Sequence, residues 1–331
     1  MLLKEIIEFK NGKKKPSSKG SIPIYGGNGI LGYTDQNNQN GESLIIGRVG
    51  AYCGCVYSHY GKCWISDNAI VGKVNDGNDF YYCYYLLKRL NLNSRHVGSG
   101  QPLMTQEILN NIEINICDYE TQRKIGKILK NIDDKIRINN KINNNLYKLI
   151  KNNYESLING CNWEEVELGA ISNITSGKRP VDKSETGEYP VIGANGIMAY
   201  TSDYNFNEDL IITGRVGTLG VVKRYLGEIW ASDNTLVIQT KYLNYIENYL
   251  KTIDYYSLNR GSTQPLLTQG DLKKQIIYFN EKLVTKFEKD NQIFVDKIRN
   301  NEKENSKLIQ LRDTLLPKLM NGEIDLDNIE I

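Results

Sequence analysis

The sequence predicts an α+β fold made by tandem duplication. A mixed, β-rich domain is followed by a long helix, and the whole unit is then written again. Three observations predict it. The polar loop GSGQPLMTQ at 98–106 returns as GSTQPLLTQ at 261–269. Further segments repeat in the same order: IPIYGGNGILGYT (22–34) with YPVIGANGIMAYT (189–201), LIIGRVG (44–50) with IITGRVG (211–217), and WISDNAIV (64–71) with WASDNTLV (230–237). Finally DKIRINNKINNNLYKL (134–149) matches DKIRNNEKENSKLIQL (296–311). The offset drifts only from 162 to 167 residues across 331, so this is one duplication of half the chain rather than a solenoid array.

Within each repeat the texture changes once. The first two-thirds are short β-branched and aromatic runs broken by glycine, which read as strands and turns. A short helix is expected over 80–92 and its counterpart over 242–254. The last third is periodic. Asp118 is placed to N-cap a long helix before YETQRKIGKILKNI, and Asn280 does the same before EKLVTKF. The predicted division is 1–118 for the first globular domain and 119–160 for the first long helix. The second domain follows over 161–280, and the second long helix with a C-terminal tail over 281–331.

In the first helix Ile125, Ile132, Leu146 and Leu149 take heptad a and d positions, thickened by Leu129, Ile136, Ile150 and Leu157. In the second, Phe287, Phe294, Leu308, Leu311 and Leu315 share a face, flanked by Ile298 and Leu319. Asn139 and Asn301 interrupt the two stripes at matching positions, either as buried register-setting residues or as solvated gaps. Each helix is far longer than its domain needs. The two stripes are expected to bury each other in an antiparallel coiled coil, giving pseudo-two-fold symmetry and a head at each end.

Composition narrows the class. The chain is 40% hydrophobic and 24% charged, with a formal net charge of +2. No apolar run is long enough to span a bilayer, and MLLKEIIEFKNGKKK carries charges where a signal peptide would be apolar, so a cytoplasmic protein is expected. Charge is uneven: residues 119–160 hold 9 basic against 4 acidic residues. The six cysteines, Cys53, Cys55, Cys63, Cys83, Cys117 and Cys161, match no usual zinc spacing and have no equivalents in the second repeat's TLGVVKRYLGEIW, so reduced structural thiols are expected and no metal. His59 and His96 have no repeat partners. No phosphate-binding G-x-x-x-x-G-K-[ST] loop or methyltransferase Asn/Asp-Pro-Pro-aromatic motif is present. No catalytic residue is assigned.

Two similar readers at fixed separation suit duplex DNA, whose half-sites recur about 34–36 Å apart for dimeric readers. The residues also resemble a known family, the specificity subunits of type I restriction–modification systems. The likeness runs over the whole chain: the openings NGKKKP and SGKRP, the GRVG turns, the QPL–TQ loops, the DKI helices and the ending LRDTLLPKLMNGEIDL. It implies two target-recognition domains reading a bipartite DNA site, joined by spacer helices, in a subunit without catalysis of its own. The implied partners are double-stranded DNA, two adenine methyltransferase subunits, which would carry S-adenosylmethionine, and, in some complexes, motor–nuclease subunits. No cofactor is expected in this chain.

The candidate DNA contacts follow the repeats. Gln101 and Gln264 suit bidentate pairing with adenine; a capping role before a short helix fits them equally. Arg48 and Arg215, between glycine and valine, suit a phosphate or a guanine edge, or an ion pair with Asp67 and Asp233. Lys13, Lys14 and Lys15, with Lys178 and Arg179, form basic loops suited to phosphates. Asn28 and Asn195 read as turn formers at positive φ. Arg123, Lys124, Lys127 and Lys130 are either a further phosphate-facing row or a solvated helix face. The competing reading is a coiled-coil adaptor, or an orphan specificity subunit, with no modifying activity of its own to direct.

Overall fold

The computed structural model describes residues 1–98, 100–160 and 162–326. Ser99 of the first polar loop, Cys161 and the end of the C-terminal tail lie outside the described residues. The chain forms two compact units. One holds Met1–Asn139 with the stretch from Glu302 onward; the other holds Asn140–Asn301.

The first unit is built on seven strands: β1 (Ile7–Asn11), β2 (Ile22–Gly26), β3 (Gly29–Thr34), β4 (Glu42–Gly47), β5 (Val56–Tyr60), β6 (Trp64–Ile65) and β7 (Ala69–Val74). An antiparallel sheet runs β1-β7-β4-β5, and a smaller one runs β3-β2-β6 with β2 and β6 parallel. Strand β4 explains why its sequence reads as a continuous apolar run. Leu44 and Ile46 face the main core while Ile45 faces a second cluster with Tyr25, Cys63, Ile65 and Val71, so both faces are buried and no polar alternation survives.

Helix α1 (Phe80–Arg89) covers the main core, α2 (Gln106–Asn110) follows the polar loop, and α3 (Tyr119–Ile158) is the first long helix. As expected, Asp118 caps α3: its carboxylate accepts from Thr121 N at 3.1 Å.

The second unit repeats the plan with β8 (Glu164–Glu167), α4 (Leu168–Ile171), β9 (Asn173–Ser176), β10 (Tyr189–Gly193), β11 (Gly196–Thr201), β12 (Phe206–Asn207), β13 (Leu210–Gly214), β14 (Lys223–Tyr225), β15 (Glu228–Ala231) and β16 (Thr235–Gln239). Next come α5 (Leu243–Leu250), α6 (Gln269–Lys273), β17 (Ile276–Phe279) and α7 (Glu281–Met320). Order β14-β13-β16-β9 mirrors the first sheet. The parallel pairing of Val191 with Trp230 mirrors that of Ile24 with Trp64. Asn280 caps α7 through Leu283 N at 3.1 Å.

Within each unit, α3 and α7 pair antiparallel. Asn139 reaches Asn305 and Asp133 reaches Arg312 in the first; Asn143 reaches Asn301 and Asn153 reaches Asn291 in the second. Each step forward along α3 is matched by a step back along α7. The seam of α7 keeps a strict 3/4 spacing through Val284, Phe287, Asn291, Phe294, Ile298, Asn301, Asn305, Leu308, Arg312, Leu315 and Leu319, all buried or half-buried. That of α3 runs through Ile125, Leu129, Ile132, Ile136, Asn139, Asn143, Leu146 and Ile150.

Two expected seam residues are therefore wrong. Leu149 is 41% exposed and Leu311 is 47% exposed. The seam takes the next residue in each case, Ile150 (4% exposed) and Arg312. Ile150, expected only to flank the stripe, is the seam residue itself, and at the other position an arginine displaces the neighbouring leucine.

The long helices also cap the heads, by different means. In the first unit Asp79 caps α1 by accepting from Tyr82 N at 2.8 Å. Gly126 of α3 makes room for it, since a Cβ there would lie 2.2 Å from Asp79 Oδ1. Its repeat equivalent is Glu288 of α7, and this carboxylate itself caps α5, accepting from Asn244 N at 3.1 Å and Tyr245 N at 2.7 Å. Burial pushes the Glu288 carboxyl up from its usual range, against the hydrogen bonds that hold it ionised.

Candidate nucleic-acid interface

Three repeated motifs converge in each head. In the first, Arg48 N donates to Asn68 O at 2.9 Å, Met104 N donates to Arg48 O at 2.8 Å, and Gly50 N donates to Pro102 O at 3.0 Å. In the second, Arg215 N donates to Asn234 O at 2.8 Å, Leu267 N to Arg215 O at 2.8 Å, and Gly217 N to Pro265 O at 2.9 Å. The GRVG turn, the SDN turn and the QPL loop are thus tied together by the same main-chain bonds twice. Glycine precedes each arginine because the chain crosses itself there: a Cβ on Gly47 would lie 2.0 Å from Tyr52 O, and one on Gly214 1.8 Å from Thr218 O.

The basic loops are fastened to the same region. Lys13 N donates to Ile65 O at 2.9 Å and Trp64 Nε1 to Lys13 O at 3.3 Å. Lys178 N donates to Ala231 O at 2.9 Å and Trp230 Nε1 to Lys178 O at 2.8 Å. The tryptophan before each SDN turn therefore anchors the basic loop by its backbone. The side chains of Lys13, Lys14, Lys15, Lys178 and Arg179 are left exposed.

Several roles weighed from sequence now resolve. Arg48 and Arg215 make no ion pair with Asp67 or Asp233. Each guanidinium donates instead to the main-chain carbonyl of that aspartate, at 3.2 Å in both heads, and stays half-exposed. This bond aims the side chain without neutralising it. Gln101 and Gln264 are exposed and do not cap the following helices. Thr105 and Thr268 do that, accepting from Ile108 N and Asp271 N, each at 3.1 Å. The second glutamine of the motif works as an anchor: Gln269 Nε2 donates to Ser176 Oγ at 2.8 Å. Asn28 and Asn195 do not take positive φ. That conformation falls on the following residues, Gly29 and Gly196, where no Cβ opposes it.

The two loops differ in one clamp. Arg260, just before the second loop, pairs with Asp271 just after it, Nη2 to Oδ1 at 2.7 Å. The Arg260 bond and the Thr268 hydroxyl hold the Asp271 carboxyl down at about 2. Both loops also close through the main chain, Val97 N donating to Leu103 O at 3.0 Å and Arg260 N to Leu266 O at 2.9 Å, so the ion pair is what the second loop adds.

The basic row on α3 is partly engaged inside its own unit. Arg123 pairs with Glu120, Lys130 with Asp134, and Lys124 donates to Leu326 O at 2.9 Å. Lysine 223, missed in the sequence, donates to Asn195 O at 2.9 Å at the tip of the β10–β11 turn. Among the described residues, no cluster of three His, Cys, Asp or Glu side chains could hold a metal. The described cysteines are free, and burial pushes Cys63 up to about 11 and Cys83 up to about 12. No described helix is long and apolar enough to cross a membrane.

Comparison with known proteins decides the family. The type I restriction modification DNA specificity domain matches twice, over residues 1–148 and 161–310. The chain belongs to the type I restriction–modification specificity family. It is 26% identical over 309 residues to the MjaIX specificity subunit of Methanocaldococcus jannaschii, covering 77% of this chain and 71% of that one. It is 34% identical over 111 residues to the EcoprrI specificity subunit of Escherichia coli, a match that spans 34% of this chain and 28% of that relative. The crystal structure of the type I restriction–modification S subunit from M. genitalium shares the fold, with a TM-score of 0.69 at 19% identity over 97% of this chain and 95% of that one.

Proposed function

We propose that this specificity subunit reads a bipartite DNA site, one half per head, and brings adenine methyltransferase subunits to it. The observation that carries the reading is the duplicated cluster. The same arginine, glutamine and basic loop are presented in both heads by the same set of main-chain bonds. Exposed lysines of the basic loops meet phosphates and give the salt-dependent part of binding. Gln101 and Gln264 have the amide geometry that pairs with adenine in the major groove. Arg48 and Arg215 reach a phosphate or a guanine edge.

Chemistry is supplied by the partner. Two methyltransferase subunits, one per head, would carry S-adenosylmethionine, and motor–nuclease subunits would join that assembly. With a formal charge of +2, the lone chain binds DNA weakly and gains affinity in the complex.

The test is modification sequencing in a host without adenine methylation. The chain is expressed with its methyltransferase, and the methyltransferase is expressed alone as control. The expected result is a split motif with methyladenine in both halves that depends on this chain. An assembled complex that yields no motif would overturn the reading.

A further inference from the structure

Each head exposes an apolar pair at the same place. Ile30 and Leu31 of β3 are 49% and 44% exposed; Ile197 and Met198 of β11 are 57% and 49% exposed. The partner strands bury their own apolar residues, Ile24 and Val191, almost completely. The exposure recurs at matching positions of the two repeats, on the outer strand of each hairpin. It has a built support: the leucine and methionine fold over the glycine that precedes each hairpin turn. A Cβ on Gly26 would meet Leu31 Cδ1 at 2.4 Å, and one on Gly193 would meet Met198 Sδ at 3.0 Å.

The hairpins are continuous with the interface described above. The Cβ position of Gly27 lies 3.4 Å from Asn68 O and 3.7 Å from Val49 O, and that of Gly214 lies 3.0 Å from Ala194 Cβ. Each carries an ammonium group beside the apolar pair. Lys15 Nζ is 3.8 Å from the Cβ position of Gly32, and Lys223 Nζ donates to Asn195 O at 2.9 Å. An apolar pair flanked by a lysine, on a hairpin whose turn abuts the arginine and SDN turns, is complementary to a duplex. Cations meet phosphates, amides meet base edges, and the 5-methyl of thymine presents an apolar group in the major groove.

We propose that the Ile30–Leu31 and Ile197–Met198 pairs are specificity-determining contacts to thymine methyl groups, one in each half-site. This rests on the proposed reading of DNA by the two heads. If adenines are methylated in both halves, each half holds at least one A·T pair, so a thymine is available to both contacts.

The experiment uses the complex with its methyltransferase and duplexes carrying the sequenced motif. Thymidines are replaced one at a time by deoxyuridine, which removes only the methyl group. Binding of the unsubstituted duplex checks the underlying reading first; no binding there removes that reading and this inference together. With binding established, we expect about a fourfold loss of affinity at one thymine in each half. Leu31→Ala should abolish the penalty in one half and Met198→Ala in the other. Equal tolerance of deoxyuridine at every position in the wild-type complex would overturn the inference. So would loss of the methyltransferase from the Leu31→Ala or Ile30→Ala chain, which would make the patch a protein-docking surface.

Discussion

Asn139 donates from Nδ2 to Oδ1 of Asn305 at 2.9 Å, and both side chains are buried in the seam between α3 and α7. Its repeat equivalent is the bond from Asn301 Nδ2 to Asn143 Oδ1 at 2.7 Å. A buried amide pair favours one register over its neighbours at some cost in stability. Asn139→Leu alone leaves a buried polar partner short of a donor and should cost about 1–3 kcal/mol. Replacing Asn139 and Asn305 together by leucine should be close to neutral or stabilising. Urea unfolding of the two variants beside the wild type checks this; equal losses in the single and double variants would contradict it.

The phase of the seam gives a sharper contrast between neighbours. Ile150 is buried and Leu149 is not. Ile150→Ala should cost about 2–5 kcal/mol, and Leu149→Ala should stay within about 0.5 kcal/mol. Similar losses for both, read from chemical denaturation, would refute the observed phase.

The clamp on the second polar loop predicts a pH effect. Asp271 is held at about 2 by Arg260 and Thr268, against an ordinary 3.8. A depressed carboxyl contributes stability that is complete above the unfolded value and is lost as pH falls from 3.8 towards 2. Asp271→Asn should flatten the acid side of the stability curve in that window. A carboxyl titration of Asp271 by NMR centred at 3.8 would show that the clamp does not form in solution.

Arg48 and Arg215 are aimed by carbonyls and keep their charge. If they contact phosphate, Arg48→Ala and Arg215→Ala should each weaken binding to all sequences alike and lower the salt slope by about one. If either reads a base, its variant should instead relax one half of the motif. A salt titration with no loss of affinity for either variant would exclude both roles.

How much of this was legible in the sequence depended on what each residue answers to. The duplication, both helix caps and the long helices could be read directly, because they rest on local signals and on self-similarity. The polar seam was harder. Asn143, Asn291 and Asn305 are buried, and Arg312 half-buried, by pairing across helices, which hydrophobicity does not record. Strict 3/4 spacing carried through the asparagines would have found them, and would have excluded Leu149 and Leu311. In the interface, the repeated motifs pointed to the residues but not to their partners. That the threonines rather than the glutamines cap α2 and α6 is a local three-residue contact that threonine's N-cap preference signals, whereas the carbonyls that hold the arginines belong to a turn 18 or 19 residues further along the chain. The exposed hairpin pairs looked like ordinary strand residues, since no one-dimensional pattern separates an outward Ile30 from an inward Ile24.

Each head is proposed to read its own half of the site through the same duplicated surface. The direct measurement is the methylated motif made by complexes carrying Gln101→Ala or Gln264→Ala, sequenced beside the wild type. Each variant should relax a different half and leave the other intact. Both variants relaxing the same half, or both keeping the full motif, would contradict it.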